Sequence, residues 1–163
     1  QEARYKVAYC YYLDSPDARL DQTETYEAIN ALSEFISVYP ESGRVSDCRK
    51  MLFEMEDKLA YKEYLNSRLY YNLGLYGGNN YRACVTTAEN ALKDFPESQY
   101  RDDLVFVILK AKSKEASLSV EEKKRERYSE VIDEYYRYAN AFPDGKHIKE
   151  ANRILREAKN IVK

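Results

Sequence analysis

The sequence predicts an all-α fold built from antiparallel helix pairs, and three observations carry that reading. Apolar residues recur at helical spacing in three segments, and each segment ends on an aromatic-Pro pair. No run alternates with the period of two that a half-buried strand requires. With 163 residues the chain suits one domain or a short repeat array that can bury a core. Five glycines and four prolines are too few for a turn-rich all-β or collagenous chain.

The spacing predicts seven helices. The first, over 2–13, opens the chain in helical periodicity. The second, over 22–39, aligns Ala28, Ile29, Leu32, Phe35, Ile36 and Tyr39 on one face. The fourth, over 79–95, repeats this with Tyr81, Cys84, Val85, Ala88, Ala91, Leu92 and Phe95. The sixth, over 121–142, does so with Tyr128, Val131, Ile132, Tyr135, Tyr138 and Phe142. They end at Tyr39-Pro40-Glu41-Ser42, Phe95-Pro96-Glu97-Ser98 and Phe142-Pro143-Asp144-Gly145. Proline cannot continue a helix and disfavours helical geometry in the residue before it. Ser42 and Ser98 are placed to cap the next helix.

Counted back from each proline the match is positional. Ala28, Cys84 and Val131 lie twelve before it, Leu32, Ala88 and Tyr135 eight before it, and Phe35, Ala91 and Tyr138 five before it. Tyr39, Phe95 and Phe142 are therefore expected to be equivalent, each mostly buried at a helix end. After each stop a returning helix begins. The third, over 43–73, presents Val45, Cys48, Leu52, Met55, Leu59, Asn66, Leu69, Tyr70 and Leu73 on one broad side. The fifth, over 98–116, presents Leu104, Val107, Ile108 and Ala111. The seventh, over 146–162, presents Ile148, Ala151, Leu155, Ala158 and Val162. Repeated antiparallel pairs read as an α-solenoid of the tetratricopeptide (TPR) kind. Its prolines are 56 and 47 residues apart, against about 34 in a regular TPR. A linking helix over 43–73, roughly 45 Å long at about 1.5 Å per residue, and a charged stretch near 113–124 absorb the excess.

Composition removes most chemistry. The 26 basic and 28 acidic residues give a net charge of −2, which does not suit a general nucleic-acid binder. Residues 1–80 carry net −4 (9 basic, 13 acidic) and 81–163 net +2 (17 basic, 15 acidic). His147, the single histidine, is expected at the surface beside Lys146 and Lys149, without an orienting partner. Cys10, Cys48 and Cys84 lack metal-ligand spacing and are expected as buried free thiols. Gly74 reads as a helix stop and Gly77-Gly78-Asn79-Asn80 as the turn into the next helix, not as a phosphate loop. Asp14, Asp17 and Asp21 lack the glycine and spacing of a calcium loop, and read as solvated, helix-capping acids. The run Glu121–Arg127 reads as an exposed, salt-bridged helix start. The expectation is thus no catalytic residue, no metal and no cofactor.

The informative excess is tyrosine, with 17 copies. Tyr39, Tyr81, Tyr128 and Tyr135 fall on repeat-core positions; Tyr11, Tyr12, Tyr61, Tyr64, Tyr71, Tyr76 and Tyr136 do not. On the long helix, at about 100° per residue, Tyr61, Tyr64, Arg68 and Tyr71 form a second stripe opposite the apolar one. Tyr and Arg are enriched in interface hot spots, so this stripe is the expected partner-binding surface. Packing of both helix faces inside the repeat array is the competing explanation.

A family resemblance rests on specific residues. Asp21-Gln22-Thr23, Thr25, Ala28, Phe35 and Tyr39-Pro40-Glu41-Ser42 resemble a segment of the BamD family of TPR lipoproteins. That family serves the bacterial outer-membrane β-barrel assembly machinery. Lys58-Leu59-Ala60, Glu63-Tyr64, Leu69-Tyr70-Tyr71, Tyr81-Arg82-Ala83 and Leu92-Lys93-Asp94-Phe95-Pro96 extend the resemblance, which is densest over 20–100. It implies a non-enzymatic scaffold at the periplasmic face of the outer membrane. It also implies BamA-like periplasmic domains and unfolded outer-membrane proteins as partners, without nucleic acid. The sequence reads as a single TPR-like domain over 1–163, the later part of a longer lipoprotein. The anchor and earliest repeats would lie outside it, since Cys10 follows no apolar leader. Thr86 and Thr87 stand where some relatives carry basic residues, so no particular salt bridge transfers. A TPR adaptor of another envelope complex and a helical accessory domain of a larger enzyme are the alternative readings.

Overall fold

The computed structural model describes residues 1–163 as seven α-helices without a strand. They are α1 (Glu2–Asp14), α2 (Thr23–Val38), α3 (Val45–Leu73), α4 (Asn80–Asp94), α5 (Arg101–Ser117), α6 (Glu121–Ala141) and α7 (Ile148–Val162). The fold class is therefore the one the sequence predicts, with boundaries shifted by at most three residues. The helices gather into two compact units, residues 1–62 and 63–163.

In the first unit, α1, α2 and the start of α3 close on Ala8, Ala28, Leu32, Phe35, Cys48, Met51 and Met55. The turn between α1 and α2 is stitched by buried polar groups. The Gln22 amide donates to the carbonyls of Asp17 (2.8 Å) and Leu20 (3.1 Å). Its oxygen accepts from the Thr25 hydroxyl at 2.8 Å. Asp21 Oδ1 accepts from the Thr23 backbone N–H and hydroxyl, an Asx turn that leads into α2. The Asp-Gln-Thr triplet is thus a loop-closing device. Lys58 and Lys62 fasten the same loop from α3, donating to Ser15 Oγ (2.7 Å) and the Leu20 carbonyl (2.5 Å).

In the second unit, α5 is buried on nearly every side. Its Leu104, Val107, Ile108 and Ala111 pack with Tyr81, Cys84, Ala88 and Ala91 of α4. Its Val105, Phe106, Leu109 and Ala116 join a separate cluster with Tyr128, Val131 and Tyr138 of α6 and Ala151, Ile154 and Ala158 of α7. A helix apolar around its whole circumference belongs inside a domain, and the run from Leu104 to Leu109 is such a segment.

The three aromatic-Pro stops share one geometry. Tyr39, Phe95 and Phe142 have φ of −128°, −128° and −135° with ψ of 58°, 64° and 67°. Each donates its N–H to the carbonyl four residues back, and its own carbonyl accepts from Ser42, Ser98 or Gly145. The carbonyls of those three residues accept in turn from Val45, Arg101 and Ile148. Ser42 and Ser98 also accept through Oγ from the N–H of Arg44 (3.3 Å) and Tyr100 (3.1 Å). They cap the connecting turn rather than the first turn of α3 or α5. The three rings are half-buried, because each sits where its helix leaves the core.

Other sequence expectations are corrected. Cys10 is exposed on α1, whereas Cys48 and Cys84 are buried. Leu69 (56% exposed) and Leu73 (39%) leave the predicted apolar stripe. In that part of α3 Tyr70 of the stripe does pack against the core of the second unit, and Tyr64 and Tyr71 join it. Gly74 does stop α3. Its φ is +57°, and a Cβ there would meet the Tyr81 hydroxyl at 2.8 Å.

Gly145 occupies the position of Ser42 and Ser98, but a Cβ on it would lie 2.6 Å from the Tyr138 hydroxyl and 2.8 Å from Phe142 Cβ. Gly145→Ala is expected to lower unfolding free energy by about 1–3 kcal/mol, as a shifted midpoint in urea. Ser98→Ala, with no such collision, is expected to cost only about 0.5–1 kcal/mol for its lost turn bond. Burial pushes the Cys84 thiol up to about 12 and also raises that of Cys48. A disulfide-exchange titration is expected to count one thiol, Cys10, in the native protein and all three in denaturant.

Candidate functional site

Two surfaces bring polar chemistry together. On the last turns of α3, Tyr64 and Tyr71 are half-buried and Arg68 is exposed. The Arg68 guanidinium lies over the Tyr64 ring, 5.7 Å from its centroid. Tyr71 meets Tyr81 edge to face at 5.8 Å and receives Lys110 Nζ at 4.9 Å from its own centroid. Burial raises the Tyr71 hydroxyl above its ordinary pKa, with Tyr81 nearby. Three of the four stripe residues thus sit together in the second unit, Arg68 presenting donors outward from a base of packed tyrosines. Tyr61 belongs to the first unit and is half-buried there.

The second surface is an ionic groove along α4, α5 and α6. The Glu115 carboxylate of α5 accepts from Asn79 Nδ2 (2.8 Å) and Arg82 Nε (3.0 Å), and Arg127 Nη1 of α6 stands 3.7 Å away. Glu134 of α6, 5% exposed, accepts from Lys112 Nζ (2.7 Å) and Arg137 Nη1 (3.1 Å). Burial pushes the Glu115 carboxyl up, but the bonds from Asn79 and Arg82 and the charge of Arg127 outweigh it. The net result lies below the usual range. The run Glu121–Arg127 is mostly exposed, with Lys124 paired to Glu121 at 2.9 Å. Arg127 alone of that run is tied back into the groove.

His147 corrects the expectation of an unpartnered surface imidazole. It is half-buried, its ring stacks on Phe106 at 4.3 Å, and Nε2 lies 2.8 Å from Asp103 Oδ1. Lys146 Nζ donates to the other Asp103 oxygen at 2.6 Å. Tyr138 donates its hydroxyl to Asp102 (2.7 Å) and accepts from the His147 backbone N–H (3.2 Å). Burial first, then Asp102, raises the Tyr138 hydroxyl well above its ordinary pKa. Each polar group of this cluster is engaged by another member, which fastens the start of α7 to the start of α5 and the end of α6. The sequence places Asp102 and Asp103 between 36 and 44 residues from their partners, a separation that periodicity does not bridge.

Residues 1–78, somewhat under half of the chain, match the model of the protein family YfiO, described as an outer membrane lipoprotein. The matched stretch ends in the turn after α3. No curated protein matches the chain.

The lowered Glu115 carboxyl carries a signed pH dependence. A carboxyl depressed in the folded state contributes stability above its ordinary value near 4.5, and loses it as pH falls through the folded value. Wild type is expected to lose stability below about pH 4.5 more steeply than Glu115→Gln. At neutral pH that variant is expected to be about 1–2 kcal/mol less stable. Urea titrations across that pH range measure both.

Proposed function

We propose that the chain is a non-enzymatic scaffold at the periplasmic face of the outer membrane, where it holds partner subunits that assemble and insert β-barrel proteins. The observation that carries this reading is the match of residues 1–78 to a family described as an outer membrane lipoprotein. It agrees with the independent resemblance of Asp21-Gln22-Thr23 and Tyr39-Pro40-Glu41-Ser42 to the BamD family. The TPR-like pairing of the helices supports it too, since repeated pairs are a common frame for protein docking. Proposed partners are BamA-like periplasmic domains and unfolded outer-membrane proteins, and the membrane would be reached through a lipid anchor outside this chain.

The docking residues in this reading are Tyr61, Tyr64, Arg68 and Tyr71. Arg68 is the one whose side chain projects while its neighbours pack, the arrangement of a charged hot spot on an aromatic base. Arg68→Glu is expected to weaken capture of purified BamA-like periplasmic domains by about tenfold or more. Its effect on stability should stay within about 0.5 kcal/mol. Tyr64→Ala should lower both, because that ring also packs on the core. Affinity measured by calorimetry beside a melting midpoint separates the two effects. Undiminished capture by Arg68→Glu would remove the stripe from the interface, and no capture by the unaltered chain would remove the scaffold reading.

A further inference from the structure

Where α4 and α6 end and α5 begins lies a cleft of about 450 Å³. Its apolar part is Leu92, Val105 and Ala141, one residue from each helix. Around these stand three cations, Lys93, Arg101 and Arg137, against a single carboxylate, Glu89. Lys93 and Arg101 have no carboxylate within 4.0 Å. Arg137 has one, the buried Glu134, reached through Nη1 alone, which leaves its Nε and Nη2 donors for another acceptor. Lys112 shares that carboxylate, so the guanidinium is oriented before any ligand arrives. The cleft therefore carries net +2 in a chain of net −2.

We infer that this cleft binds a short acidic peptide segment of a partner protein. A carboxylate of the segment would lie among Lys93, Arg101 and Arg137, and an apolar side chain would rest on Leu92, Val105 and Ala141. Charge complementarity selects the occupant. Three cations facing one carboxylate repel a basic segment, and the apolar base rewards a side chain that a free inorganic anion lacks. Guanidinium groups suit the planar, two-oxygen geometry of carboxylates. Arg137, already held by the buried Glu134, loses less freedom on binding. The inference deepens the scaffold reading, on which it rests, by adding a second docking surface remote in sequence from Arg68 and giving the chemistry of what docks there.

The probe is a fluorescein-labelled octapeptide of Asp and Glu with one central Leu, titrated with the full chain and read by anisotropy. Saturable binding is expected, weakened about tenfold in Lys93→Glu/Arg101→Glu by loss of two charge pairs, with an unchanged melting midpoint. A charge-matched control, Lys149→Glu/Arg156→Glu on the exposed side of α7, is expected to bind like wild type. Replacing the peptide's Leu by Ser should weaken binding severalfold, and so should about 0.5 M salt, where the Debye length is roughly 4 Å. Equal loss in both charge-reversed variants would mean general attraction only and overturn the cleft. So would absence of binding, or a phosphate-rich single-stranded oligonucleotide binding as well as the peptide. If the peptide fails while partner capture still depends on Arg68, the cleft alone is refuted. If neither binds, the scaffold reading falls with it.

Discussion

The aromatic-Pro turn is the constraint on which the rest of the structure depends. A helix that ends must dispose of its last carbonyls, and a proline one residue later removes the N–H that would have continued the ladder. Here the aromatic residue closes the last helical bond, and its own carbonyl is claimed by the residue three further on. That residue's carbonyl then starts the next helix. One relay of hydrogen bonds thus ends one helix and begins its return partner. The dihedral angles agree within ten degrees at all three stops, so the turn is set locally and reproduced wherever the tetrapeptide occurs.

The third copy shows how a local rule yields to packing. Two copies place Ser after the acidic residue and the third places Gly145. The position five residues before proline is Phe35, Ala91 or Tyr138, and only tyrosine sends a hydroxyl into the turn. That hydroxyl lies where a Cβ on residue 145 would be. In exchange it reaches Asp102 and the His147 backbone N–H, so the turn is held by α5 as well as by its own relay. Asp102 takes the backbone N–H of Lys146, while Asp103 takes the ammonium of Lys146 and the imidazole of His147. Loss of the serine cap in this copy is offset by the bonds that Asp102 and Asp103 of α5 make to the turn.

Elements whose information is local were legible in the sequence. Helix existence, the three stops, the glycine that ends α3 and the positional equivalence of the repeats all follow from period and turn chemistry. Pairings of distant residues were not. The His147–Asp103 contact spans forty-four positions, and neither side chain announces the other. Past residue 62 the stripe on α3 keeps Tyr70 but loses Leu69 and Leu73, for a different reason. A single apolar face was extended along a helix whose residues belong to two units, and in the second unit the packed residues are Tyr64, Tyr70 and Tyr71. In α5 the stripe Leu104, Val107, Ile108 and Ala111 accounts for only one of two packed faces, and the unbroken run Leu104–Leu109 signals a helix covered on both sides. Cys10 defeats the rule that cysteine behaves as a buried apolar residue, because the buried line of α1 runs through Ala8 and the half-buried Tyr5 and Tyr12.

Glu115 and Glu134 raise a question that stability does not answer. A carboxylate withdrawn from water carries a desolvation cost, and a buried ion pair is often no more stabilising than well-packed apolar groups of the same volume. Apolar residues in place of a glutamate and its cations together would serve the α5–α6 contact at least as well. What an apolar residue cannot do is hold Arg82, Arg127, Lys112 and Arg137 in fixed orientations along one face. Each glutamate engages two cations, and the arginines bonded through Nε or a single Nη retain donors that point elsewhere. A charge sunk beneath a row of cations acts as a template, spending desolvation energy so that guanidinium groups otherwise free to wander stand ready together. Glu134, buried, and Glu115, half-buried, make physical sense as organisers of the groove rather than as cement between its helices.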